Sequence, residues 1–168
     1  MQAVRRAAVE RSDIDGDGQM TFRFSEASLS QYNTLHPDLK ILATAVLEIH
    51  DFAIIEGYRN QAKQNKAVRD GKSKISYPHS RHNRSPSEAM DLMPYVSGKA
   101  IGWEDWHQWR YFGGIVIGMA HMLYRAGLMG QSIRWGHDFN SNNDLDDQRF
   151  IDAPHFELRP LGRIGNAA

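Results

Sequence analysis

The chain has 168 residues, 41% of them hydrophobic and 24% charged, which suits one soluble domain able to bury a core. Lys plus Arg and Asp plus Glu each number 20, a balance that argues against a nucleic-acid binder, and no stretch approaches the roughly 18–20 apolar residues of a membrane span. There is no cysteine, so disulfides, thiolate metal sites and cysteine nucleophiles are all excluded, and a transition metal would need His and carboxylate ligands.

Residues 1–19 are polar, turn Gly/Asp-rich and lack the apolar region of a secretory signal, so they read as a flexible N-terminal extension to a domain over 20–168. Within them Asp13-Ile-Asp15-Gly-Asp17-Gly18 has the opening spacing of a calcium loop. Phe24, however, takes the twelfth place where such loops carry a bidentate Glu, and a plain turn is the expectation. Met20-Thr-Phe-Arg-Phe24 begins an alternating apolar pattern. His36-Pro37-Asp38 opens a helix whose Leu39, Leu42, Ala43, Val46 and Ile49 recur at core-facing spacing. Asp51 to Glu56 reads as a strand ending at Gly57, and Gln61 to Arg69 as a helix ended by Asp70-Gly71.

Lys72 to Ser87 is a loop rich in Ser, Arg, His, Asn and Pro, and Ala89 to Met93 a short strand carrying Asp91. Pro94 to Gly102 reads as a turn region. A helix starts over Trp103–Trp106, and a mostly buried one runs from Tyr111 to Ala126, stopped by Gly127. Ser132 to Trp135 and Phe156 to Leu158 read as strands, separated by a polar loop over Gly136 to Asp147. Helices mix with short strands without βαβ alternation, which predicts an α+β fold.

Two places carry chemistry. In Asp152-Ala-Pro-His155-Phe-Glu-Leu158 a His enters a strand three residues after a carboxylate, which suits a metal ligand beside a general base. In the other, Ser80-Arg-His82 precedes Asp91, so that His82, Asp91 and His155 make a His₂Asp set with room for a water. On spacing alone, surface histidines and ordinary solvated carboxylates stay open as the alternative, because His/Asp sets also arise by accident.

Five landmarks in order go further: Glu56-Gly-Tyr-Arg59 with Gln64; Ser80-Arg-His82-Asn83; Pro86-Ser87 with Ala89-Met-Asp91; Ile133-Arg-Trp-Gly136; and Asp152 to Leu158. From about Met20 to Leu158 the chain resembles the zinc D-Ala-D-Ala carboxypeptidase and L-alanyl-D-glutamate endopeptidase family, especially its small phage endolysins. The resemblance implies a Hedgehog/D-Ala-D-Ala-peptidase-type fold with a small antiparallel sheet packed against helices. It implies zinc ligation by His82, Asp91 and His155, Asp152 as general base, and Arg59 as oxyanion stabiliser or substrate anchor. Ser80 and Gln64 match positions next to the substrate.

The implied reaction is hydrolysis of a peptidoglycan stem peptide at the L-Ala–D-Glu bond. A D-Ala-D-Ala carboxypeptidase with the same site, or a non-catalytic wall-binding module, are the alternatives. Action on the wall after holin-type release from the host cytoplasm, no membrane insertion and a monomeric state complete the expectation.

Two departures stand out. His82 and Asp91 are nine apart, longer than the shorter family form, which reads as a loop insertion over Asn83 to Glu88. Gly136-His137-Asp138-Phe139 stands where relatives tend to have Gly-Gly-Asp-Trp, placing His137 near the site.

Asp138, Asn140, Asn142 and Asp144 alternate like the opening of a calcium loop, with Asn143 in the place of the usual Gly, and calcium is weighed against a plain acidic loop. Trp103, Trp106, Trp109 and Tyr111 offer either a glycan-stacking surface or, at this helical spacing, core, and core is the expectation. His79, His107 and His121 read as solvated or structural.

Overall fold

The computed structural model describes residues 12–14 and 20–159. The calcium-type spacing that begins at Asp13 runs through residues outside that set. Strands β1 (Ser12–Ile14) and β2 (Met20–Phe22) pair antiparallel on their own. Two helices follow, α1 (Glu26–Tyr32) and α2 (Pro37–Leu47). Then come β3 (Phe52–Glu56), α3 (Gln61–Arg69), a 3-10 turn over Arg81–Asn83 and β4 (Ala89–Val96). The chain continues through β5 (Lys99–Ala100), α4 (Trp106–Arg125), β6 (Ile133–Trp135) and β7 (His155–Leu158). The main sheet is antiparallel in the order β3-β4-β7-β6, with β5 folded back on β4. The architecture is α+β, as the mixed pattern predicts.

Register divides the sheet into two unlike faces. Opposed residues share a face, and Phe52 opposes Pro94, Ile54 opposes Leu92, Met90 opposes Phe156, and Trp135 opposes Phe156 from the other side. Phe52, Ile54, Met90, Leu92, Trp135 and Phe156 are all buried beneath α2 and α4, which contribute Leu39, Leu42, Ala43, Val46, Phe112, Val116 and Ala120. A fully buried aromatic or aliphatic side chain here contributes about 1.5–3 kcal/mol. Helix α4 comes close to the sheet at Gly113, where an added Cβ would stand 2.2 Å from the Trp135 ring. The opposite face carries Asp91, His155, Glu157 and Arg134, with Met93 and Ala53 further along.

Several expectations need correction. Ile49 lies past the end of α2 and is exposed, because the helix stops at Leu47. The strand carrying Asp91 runs on to Val96 and turns through Ser97 and Gly98, both at positive φ, into β5. The two helical stretches expected around residues 103–126 are one helix, which starts at Trp106 because Asp105 caps it by accepting the Gln108 N–H at 3.3 Å. Helix α1 was not expected, since only Ser28 of its residues is buried and its sequence therefore lacks an apolar period.

Candidate metal centre

His82 reaches the sheet from a loop, and short-range hydrogen bonds fix it there. The Ser80 hydroxyl accepts the His82 N–H at 3.3 Å, while Asn83 Oδ1 accepts the Ser80 N–H at 3.2 Å, a reciprocal cap on the 3-10 turn. The turn is tied to the end of β3 by Arg59 N–H donating to the His82 carbonyl at 2.7 Å and Asn83 Nδ2 donating to the Arg59 carbonyl at 2.7 Å. His82 Nδ1 donates to the Gly57 carbonyl at 2.7 Å, which leaves the Nε2 lone pair free.

The other two ligand candidates oppose each other in the β4–β7 register. His155 Nε2 donates to Glu157 Oε2 at 3.0 Å, so its Nδ1 lone pair turns inward. His82 Nε2, His155 Nδ1 and Asp91 Oδ1 then stand 3.1, 3.0 and 3.2 Å from one another. Ligand atoms about 2.0–2.1 Å from a tetrahedral zinc lie roughly 3.3 Å apart, so the donor set fits a zinc-sized ion. Among the described residues, this is the group of histidines and carboxylates that converges in this way.

Charge organises the surroundings. Burial alone would raise Asp91, but the neighbouring His82 and His155 hold its carboxyl well below the usual range. Burial opposes the charged form of His155, yet hydrogen bonds to Asp91 and Glu157 outweigh it and push the imidazole up to about 10 in the metal-free protein. Glu157 is brought down to about 2 against burial by His155 and by Arg134, whose Nε donates to it at 3.0 Å from the opposed position on β6. Asp152 is raised, first by burial and then by the Asp91 charge. A carboxylate tuned upward beside a metal-type site is suited to taking and returning a proton.

Asp152 owes its place to a tight turn. Its N–H donates to the Gly136 carbonyl at 2.8 Å, and its own carbonyl accepts the His155 N–H at 3.0 Å. A Cβ at Gly136 would lie 2.2 Å from the Asp152 carbonyl oxygen, so only glycine allows this approach. Arg59 closes the other side. Its guanidinium reaches Asp91 Oδ2 at 3.4 Å, Glu56 at 3.5 Å and Gln64 Oε1 at 3.3 Å.

A profile of the phage L-alanyl-D-glutamate peptidase family matches residues 20–159. The chain belongs to this family. It is similar to the L-alanyl-D-glutamate peptidase of Escherichia phage T5, with 30% identity over 145 residues, 83% of this chain and 99% of that protein. Its fold is similar to that of the crystal structure of the Serratia marcescens L-Ala D-Glu endopeptidase ChiX. The TM-score is 0.62 at 24% identity, covering 88% of this chain and 96% of that one.

In this family member the five expected landmarks converge, with differing parts. Gln64 is fully buried: its Nε2 donates to the Ile75 carbonyl at 2.5 Å and its Oε1 accepts from Arg59. Ser80 is buried as the cap described above. Both therefore bear on the site through Arg59 and His82. Sequence reasoning missed Glu157 and Arg134; the His-x-Glu spacing on a strand was the available signal for the first.

The 138–147 loop spends its oxygens on itself. Asp138 accepts the N–H groups of Asn142 (3.2 Å) and Asn143 (3.0 Å), Asn142 Oδ1 accepts the Asp144 N–H (2.8 Å), and Asn140 and Asn142 donate to Asp147. His79, His107 and His121 are exposed and outside the cluster.

The aromatic expectation needs correction: Trp109 is core, but Trp103, Trp106 and Tyr111 are exposed. His137 is buried, its ring between Trp135 (4.9 Å) and Trp106 (5.6 Å), and neither nitrogen has a hydrogen-bond partner among the described residues. Burial and then the Arg110 charge lower its pKa, keeping it neutral.

Proposed function

We propose that this chain is a zinc-dependent endopeptidase that cuts the L-Ala–D-Glu bond of peptidoglycan stem peptides, on a Hedgehog/D-Ala-D-Ala-peptidase-type fold. The observation that carries the reading is the convergence of His82 Nε2, Asp91 Oδ1 and His155 Nδ1, each imidazole with its other nitrogen already committed, in a member of this peptidase family. A bound zinc would supply Lewis-acid activation of a water and of the scissile carbonyl.

The chain's own residues do the rest. Asp152 takes the proton of the attacking water and delivers it to the departing D-Glu amine. Arg59, anchored by Gln64 and Glu56, stabilises the negative charge that grows on the carbonyl oxygen. Ser80 and Gln64 support the substrate side of the site by holding His82 and Arg59 in place.

The family's phage origin supports a lysin that reaches the wall from the host cytoplasm through a pore made by another protein. We take it to act as a monomer; among the described residues no helix is long and apolar enough to cross a membrane.

The test is mass analysis of digested peptidoglycan. New N-terminal D-Glu is expected. Free D-Ala would assign a carboxypeptidase instead, and disaccharides with intact stems would overturn peptidase activity.

For the loop holding Asp138, Asn140, Asn142 and Asp144 we propose calcium as a stabilising ion. The support is its alternating oxygens and Asn143, which takes φ 66 where such loops turn sharply. An unchanged melting temperature on adding calcium would reduce it to a plain loop.

A further inference from the structure

Tryptophans at 103, 106 and 109 bracket the start of α4, yet only Trp109 is core. It belongs to a small buried cluster with Met93, Tyr95 and Ala153. Met93 and Tyr95 follow Asp91 at alternate positions of β4, so this small cluster continues the sheet face that bears Asp91 and His155. Trp103 stacks on Trp109 with ring centres 5.9 Å apart and planes at 24°, but remains 62% exposed. Trp106 sets its ring edgewise against His137 and remains 43% exposed.

Both exposed indoles lead back to the turn that holds the base and a metal ligand. Trp103 does so through Trp109, which shares its apolar cluster with Ala153, between Asp152 and His155. Trp106 does so through His137, whose neighbour Gly136 accepts the Asp152 N–H. Leaving two indoles in water forgoes about 25 cal/mol for each Å² that burial would have covered. An apolar surface of this kind, continuous with a reaction centre, is the usual mark of a ligand contact.

We propose that Trp103 and Trp106 form a sugar-stacking subsite for the N-acetylmuramyl ring that carries the stem peptide. This rests on the peptidoglycan reading above. In peptidoglycan the L-Ala amine is acylated by the lactyl group of the muramyl sugar. A protein that cuts intact peptidoglycan after L-Ala therefore meets a sugar one residue and one short acyl bridge from the scissile carbonyl.

An extended residue spans about 3.3–3.6 Å, so residue and bridge together place the ring roughly 7–10 Å away. Along β4, two residues from Asp91 to Met93 cover about 7 Å, and Met93 belongs to the same apolar cluster as Trp109, on which Trp103 stacks. The sheet span and the reach of the sugar are of the same order. Chemistry agrees as well: a pyranose offers a face of C–H bonds to the electron-rich face of an indole, while its hydroxyls stay in water at the rim.

Two measurements on the zinc-loaded full chain test this. The first compares kcat/KM for a stem peptide bearing the disaccharide with that for the same peptide without sugar. The parent is expected to prefer the sugar-bearing form, and Trp103→Ala and Trp106→Ala to narrow that preference about tenfold, equivalent to about 1.4 kcal/mol. Trp103→Phe should restore most of it. An unchanged preference in Trp103→Ala overturns the proposal.

The second follows the indole N–H resonances while peptide-free N-acetylglucosaminyl-N-acetylmuramic acid is added. Signals of Trp103 and Trp106 should shift and that of buried Trp109 should move least; stationary Trp103 and Trp106 signals overturn the proposal. This arm involves no hydrolysis, so cleavage at another bond would sink the L-Ala–D-Glu reading while the titration still decides the subsite. A dimer that dissociates in Trp103→Ala would assign the surface to a second copy of the chain and overturn the sugar.

Discussion

Replacing Glu157 with alanine removes the acceptor that His155 Nε2 uses at 3.0 Å and frees that imidazole to rotate or to change tautomer. With the proton on Nδ1 the ring would present no lone pair to Asp91 and His82, and a metal would lose one of three protein ligands. Outer hydrogen bonds of this kind are worth about 10–100-fold in metal affinity, or about 1.4–2.8 kcal/mol. The structure favours the upper end, because Glu157 is 7% exposed and water cannot readily replace it.

Removing Glu157 also strands Arg134, but that side chain is 38% exposed and solvent screens much of the penalty. Loss of metal-free stability should therefore stay near the cost of one charged hydrogen bond, about 1.5–3 kcal/mol. Glu157→Gln separates geometry from charge, since its amide oxygen can still accept from Nε2. We expect about tenfold weaker zinc binding for Gln and about 100-fold for Ala by chelator competition, with melting curves of the metal-free proteins as control. Parental zinc affinity in Glu157→Ala would mean that the β7 backbone alone orients His155, and the argument would fail.

Asp152→Asn should retain zinc and lose about 10²- to 10⁴-fold in kcat, since it removes a proton carrier and no ligand; near-parental turnover would remove Asp152 from the mechanism. For the metal-free protein, His155 is raised from 6.5 to about 10, so its stabilisation is full below pH 6.5 and lost as pH climbs through 10. Glu157 is lowered from 4.5 to about 2, so its contribution is full above pH 4.5 and lost as pH falls through 2. The melting temperature should accordingly peak between about pH 4.5 and 6.5, and a continued rise to pH 9 would contradict the His155 assignment. Gly136→Ala should push the Asp152 turn out of place, lowering turnover and zinc affinity together by titration of the purified variant; unchanged values would show that the turn yields without cost.

Local signals carried the parts of the fold that local physics decides. Helix α2 was legible because His36-Pro37-Asp38 marks its start and its apolar residues keep helical spacing, and α3 because Asp70-Gly71 ends it. Beyond Met93 the strand was lost to Pro94, which argues against a central strand when read alone. In the sheet, β7 pairs only with Ala89 to Asp91, so Pro94 lies past that ladder and its missing N–H costs no bond on that side. The register slip between Ile54 and Glu56 was equally invisible; by inserting Ile55 it sets Glu56 opposite Asp91, within reach of Arg59.

The ligands posed a different problem, since His82 and His155 are 73 positions apart and nothing in either segment's composition says that they meet. Family landmarks identified them, whereas Arg134 needed the β6–β7 register before its pairing with Glu157 could be seen. The tryptophans show how a correct spacing rule misleads at an element's edge. Positions 103, 106 and 109 share a helix face only if the helix spans all three, and Asp105 starts it too late for that. Trp103 therefore approaches Trp109 from a loop, outside the helical wheel, and Trp106 projects from the first turn, where the helix has no preceding turn to pack it. A late cap thus converts what would have been a buried row into one buried indole and two exposed ones, beside the turn that carries Asp152.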